Sequence, residues 1–193
     1  MKKRLAILGG IIIGGSVILL LAASVLGLNI FSGLVDGNEA DEGVIVDVED
    51  LSDEKLENEE VLDTIANVHR IWNDITGFAG HKEFLEEDSE AWEETESEMY
   101  QTFEIIEEAV ETVNDYGHDN LQHDLENFID VASLATKERD HEALLYSHRI
   151  IHDLDVVHNN YEATYYETTN SGYTGVKYER VEELVKEHKN NES

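Results

Sequence analysis

"EAWEETESEMYQTFEIIEEAVETVNDYG" (residues 90–117) decides the fold class. Trp92, Met99, Phe103, Ile106, Val110 and Val113 recur three, four or seven positions apart, so they fall on one stripe of a helix while acids fill the opposite side. No proline interrupts this pattern or any other part of the chain, and Gly117 offers a left-handed stop. A helix apolar along one stripe only is stable when that stripe meets other helices. Phe84 and Leu85 precede it, and Asp88-Ser89 can cap a fresh start between them and the stripe.

Upstream, Ser52 reads as an N-cap, with Asp53 and Glu54 at the positive end of the helix dipole and Leu51 stapled to Leu56. Val61, Ile65, Val68, Trp72 and Ile75 form the stripe of this first helix, and Gly77 is positioned to close it in a left-handed conformation. Downstream, a third helix runs from about Asp119 to Thr136, with Leu121, Leu125, Phe128, Ile129 and Ala132 inward. A fourth runs from about Asp140 to Thr168 and turns Leu144, Ile151, Leu154, His158 and Tyr161 to the core. The "TKERD" junction (136–140) lacks glycine, so a break and a continuous helix both fit it. The expected fold is all-α: an antiparallel four-helix bundle over residues 52–168. Residues 169–193 form a polar tail with a short helix near Val176–His188, carrying several of the rare basic groups and either folding back on the bundle or fraying.

The other end has a different composition. Leu5 to Leu28 contains no charge and would make a helix about 36 Å long, enough for a hydrocarbon core of about 30 Å. Lys2, Lys3 and Arg4 precede it, so the positive-inside rule puts residues 1–4 in the cytoplasm and the bulk of the chain on the extracytoplasmic side of the cell membrane. The length favours a retained signal anchor over a cleaved signal peptide, although small residues lie around Ala22–Ser24. Gly10 and Gly14 have the spacing that lets two membrane helices approach closely, which suggests a homodimer. Residues 29–51 mix glycine and acid and read as a tether; Ala40 and Asp41 fall where a calcium loop needs a ligand and a glycine.

The chain of 193 residues has 13 basic and 44 acidic side chains, a formal charge of −31. Such a surface repels nucleic acid and favours cations, cationic protein partners or a saline medium. Absence of cysteine removes disulfides, thiolate metal sites and thiol catalysis.

"SHRIIHDLDVVH" (147–158) is the segment with the most candidate chemistry. On a helix, His141, His148, His152 and Asp155 lie within an arc of about 60°, with His148 and His152 one turn apart. Two imidazoles at that spacing can grip a borderline divalent metal, with a ligand from a neighbouring helix, such as His69 or a glutamate, needed to complete the site. The same phasing puts the stripe about 90–150° from the centre of the apolar face, which reads first as a solvated flank. Arg70–Asp74 and Arg149–Asp153 repeat one i,i+4 pattern, and arginines this scarce suggest bonds to glutamates on other helices.

No nucleophile elbow, phosphate-cradling loop or HExxH motif occurs. The His-Asp dipeptides at 118–119, 123–124 and 152–153 suit a helical metal-dependent phosphohydrolase, but an exported location argues against nucleotide substrates. The expected function is therefore an envelope interaction or accessory role without catalysis and without a cofactor. The alternative is an extracytoplasmic divalent-metal binder using His148, His152, His141 and Asp155.

Overall fold

A computed structural model of the chain describes residues 56–161, 163–171 and 176–191, all within a compact unit spanning Glu42–Ser193. They form five α-helices, one 3-10 turn and no strand. The helices are α1 (Glu59–Thr76), α2 (Glu90–Tyr116), α3 (Asp119–Glu138), α4 (His141–Asn159) and α5 (Val176–Asn191), with the 3-10 turn at Gly80–Phe84. Among these residues no helix is long and apolar enough to cross a membrane. The apolar segment 5–28, the Gly10–Gly14 spacing and the tether 29–51 lie outside the described residues.

Packing follows the stripes. α1 contacts α2 and α4, α2 contacts α3, and α3 contacts α4, so four helices close a ring and α5 lies against α3 from outside. Two-residue links at Gly117-His118 and Arg139-Asp140 reverse the chain between consecutive helices. Val61, Ile65, Val68, Trp72, Met99, Phe103, Ile106, Val113, Leu125, Phe128, Leu144, Ile151 and Leu154 share one core. At its centre the Trp72 ring meets Phe128 edge-on at 5.5 Å and donates from Nε1 to Thr102 Oγ1 at 3.2 Å. The tail helix is part of this core, since Val181, Leu184 and Val185 are buried in it. Arg180 fastens it to α4: Nε donates to Glu142 Oε1 at 2.9 Å and Nη2 to Oε2 at 2.7 Å.

Several boundaries differ from the sequence expectation for local reasons. α1 starts at Glu59 because the Asn58 side chain accepts from the backbone of Glu60 and Val61; the expected cap at Ser52 lies outside the described residues. Gly77 is extended (φ −65°, ψ 165°), and the left-handed turn falls instead on Phe78 and Ala79. Glycine is still required there, because a Cβ would come within 2.3 Å of Asn73 O. Ser89 caps α2 as a fresh start, and Gly117 closes it at φ 76°. The TKERD junction is a break: Arg139 takes φ 53° and Asp140 caps α4. α4 then stops at Asn159, with Asn160 left-handed, well before Thr168.

α4 is the central helix. From Ile150 to Val157 every side chain is buried, polar ones included. Ile151→Ala is therefore expected to cost about 2–5 kcal/mol, as for other large-to-small core changes. Phe78→Ser, at a fully exposed ring, should move stability by less than about 0.5 kcal/mol. Urea unfolding followed by circular dichroism measures both.

Candidate metal centre

The predicted stripe on α4 is not a wet flank. His152 and Asp155 are only 7% and 5% exposed, because α1 covers one side of them and the segment after Asn159 crosses the other. His148 keeps part of its surface open, yet its Nε2 is enclosed. α1 contributes His69, 5% exposed, which stacks on His148 at 5.7 Å between ring centroids and meets His152 edge-on at 4.9 Å. The His148 and His152 rings are 6.0 Å apart. His148, His152 and Asp155 are thus brought together with His69. His141 is elsewhere, two turns back along α4 against His81 of the 3-10 turn.

Asp155 sets the direction of the His69 ring. Its Oδ2 accepts from His69 Nδ1 at 2.7 Å, while Oδ1 accepts from Asn159 Nδ2 at 2.7 Å. A carboxylate accepts this bond, so Nδ1 carries the hydrogen and the neutral form of the ring would have its lone pair on Nε2. That nitrogen is buried with no hydrogen-bond partner, as are His148 Nε2 and His152 Nδ1. The Asp153 carboxylate is 3.6 Å from His152 Nδ1, beyond hydrogen-bond reach. Burial, then the neighbouring His152 and His69, pushes His148 down to about 3. It is therefore neutral at ordinary pH, the form that ligates metals.

The cover over the cluster is pinned by buried carboxylates. Asp153, fully buried in α4, accepts from Tyr166 N at 2.7 Å, Thr168 N at 2.9 Å and Thr168 Oγ1 at 2.7 Å. Asp124 of α3 accepts from Asn170 N at 2.7 Å and Ser171 N at 2.6 Å. These bonds bring the Tyr166 ring edge against His152 at 5.0 Å, and Tyr161 stands 5.2 Å from His69. Arg149 lies over the Tyr146 and Tyr166 rings at 4.9 and 5.6 Å. The Asp153 oxygens are committed to the cover. Arg70 does pair with Asp74 at 3.4 Å, on the surface.

The donor set suits a borderline divalent ion. Three imidazoles on one tetrahedral zinc-like ion place their ring centres about 5 Å apart, given metal–nitrogen bonds of about 2.0–2.1 Å. The three observed separations bracket that value from 4.9 to 6.0 Å. Among the described residues no three His, Asp or Glu side chains already converge on one point, so ligation requires the rings to turn. Two surface depressions lie away from the cluster, one lined by Glu59, Glu60, Asp63 and Asn67 and the other by Glu87, Glu138, Asp140 and Glu187.

Sequence reasoning misplaced the stripe and named His69 only as one option for completing it. No local signal marks His69, because its partner Asp155 lies 86 residues away. Searches of protein-family models, curated proteins and solved structures found no match to this chain. The site therefore rests on its geometry.

A separate buried imidazole makes stability depend on pH. Burial, and then His118, lowers His158 from 6.5 to about 4. As pH falls, the unfolded chain takes up that proton first. The contribution is complete above pH 6.5 and is lost progressively toward pH 4. Asp124 acts in the opposite sense, because burial raises its carboxyl from 3.8 to about 6 and acidification through that range favours the fold. His158→Gln is expected to make the acid limb of urea-unfolding stability shallower between pH 6.5 and 4. Asp124→Asn should steepen it.

Proposed function

We propose that the chain is a membrane-tethered, extracytoplasmic helical-bundle protein with an accessory, non-catalytic role, and that its cluster binds a divalent transition metal. The observation that carries this reading is the set of three enclosed, unpartnered imidazole nitrogens contributed by two helices: His69 Nε2, His148 Nε2 and His152 Nδ1. A buried polar atom without a partner costs about 1–3 kcal/mol, and three in one place favour a shared ligand. His69, His148 and His152 would hold the ion. Asp155 would keep the His69 ring in the ligating tautomer, as carboxylates behind metal-bound histidines commonly do. Nitrogen donors without thiolate suit zinc, nickel or copper over calcium or magnesium.

The tether is supported by the uncharged run from Leu5 to Leu28 behind Lys2, Lys3 and Arg4. Homodimerisation through Gly10 and Gly14 and a cationic protein partner for the acidic surface belong to the same proposal. In this proposal metal binding is the specific role and interaction through the acidic surface accompanies it; the burial of the histidines supports that order.

The test is calorimetric titration of zinc or nickel into the full-length chain in detergent, with excess magnesium to occupy exposed carboxylates. One tight equivalent is expected, weakened at least tenfold by His69→Ala or His148→Ala. Asp155→Asn should weaken it about 10–100-fold, and His123→Ala should leave it unchanged. Equal binding by the wild-type chain and the His148→Ala variant would remove this assignment.

A further inference from the structure

The second histidine pair has the geometry of a site of its own. His81 Nδ1 and His141 Nε2 are 3.2 Å apart, with ring centroids at 5.4 Å and planes inclined by 36°. With metal–nitrogen bonds of about 2.05 Å, that separation subtends about 100° at a shared ion, between the square and tetrahedral angles. Both rings are half-buried, so an ion between them keeps access to water for its remaining coordination positions.

The chain goes to some length to bring these rings together. His81 follows Phe78 and Ala79, both left-handed at φ 51° and 69°, and then Gly80, where a Cβ would come within 2.7 Å of Ile75 O. Residues other than glycine enter that region only at an energetic cost. This tight reversal puts the 3-10 turn against α4, where His141 is the first residue. Burial, and next His141, lowers the His81 proton affinity, which leaves neutral imidazole available at neutral pH.

We propose that His81 and His141 form a second, solvent-facing divalent-metal site, distinct from the buried cluster and two helical turns from it along α4. Two protein ligands make it the weaker site. The positive charges of Lys82 and Arg149, both close enough to act on His81, weaken it further. The remaining positions of the ion are filled by water or by a partner's donor groups. A nitrogen-binding ion such as copper(II) or nickel is the chemical class this pair selects.

The alternative is a neutral N–H···N hydrogen bond that merely clips the turn to α4, and metal titration separates the two. Full-length chain, with magnesium in excess, is titrated with copper(II) or nickel while circular dichroism confirms that each variant stays folded. Two classes of site are expected. His81→Ala and His141→Ala each abolish the weaker class, reducing its affinity at least tenfold while sparing the tighter one. The copper(II) electron paramagnetic resonance spectrum of a His148→Ala chain should show two nitrogen ligands, lost in the double variant with His81→Ala. Loss of thermal stability in His81→Ala with both metal equivalents intact would overturn the inference in favour of the clip. Failure of the buried cluster alone would leave the weaker class intact, so the two proposals fall separately.

Discussion

The Asp153 carboxylate is the interaction on which the rest of this structure turns. It sits fully buried in the middle of α4, facing away from the apolar core, and accepts three hydrogen bonds from residues 166 and 168. Desolvating a carboxylate costs several kcal/mol, and each hydrogen bond to a charged group contributes about 1.5–3 kcal/mol. Three such bonds offset the burial only while the segment lies across α4. That segment is what converts the polar side of the helix from surface to interior. Asp124 repeats the device two to three residues after Thr168, at Asn170 and Ser171. Together the two carboxylates position Tyr166 over His152 and enclose a group of imidazoles that would otherwise face water.

The same constraint explains where the sequence was legible. The stripes of α1 and α2 are plain, because each of those helices buries one face and exposes acids on the other. Val61, Ile65, Val68, Trp72 and Ile75 are all buried, as are Trp92, Met99, Phe103, Ile106 and Val113. Caps governed by local chemistry, Ser89 and Gly117, were equally readable. Periodicity misjudged α4, since phasing assumes a dry face and a wet one and α4 from Ile150 to Val157 has no wet face. Partnered aspartates and histidines count as surface in such a reading, whatever covers them. The cover itself carries no periodic signal. Its path depends on carboxylates 13 to 47 residues away. Left-handed turns at Phe78, Ala79, Arg139 and Glu167 were hidden for a similar reason, because those residue types do not advertise that conformation.

Scarcity of positive charge shapes the surface without organising the core. Arg180 answers the expectation that a scarce arginine would bind glutamates across helices, but from the tail helix. It forks onto Glu142 of α4 and also reaches Glu183 at 3.1 Å and Glu187 at 3.2 Å on its own helix. Arg139 similarly donates to Glu87 O at 2.8 Å where α3 turns into α4. Arg149 also lies on aromatic faces beside the cluster. A guanidinium there discourages further cations from approaching that side of the histidines. The same charge acts on His148, the least buried of the three rings.

The cost of the enclosed histidines is the strongest argument that they are there for a ligand. A helical bundle of this size needs no polar group between α1 and α4; leucine at 69, 148 and 152 would fill the space with no nitrogen to satisfy. Histidine instead leaves three ring nitrogens without partners, and adds Asp155 and Asn159 to orient one of the rings. Orientation matters little to packing, since an imidazole fills the same volume either way round. It matters to a ligand, because the bond from His69 Nδ1 to Asp155 leaves Nε2 as the nitrogen that would carry the free lone pair in the neutral ring. Support of that kind behind one histidine is what the proposed ion-binding centre would use and what packing alone does not need.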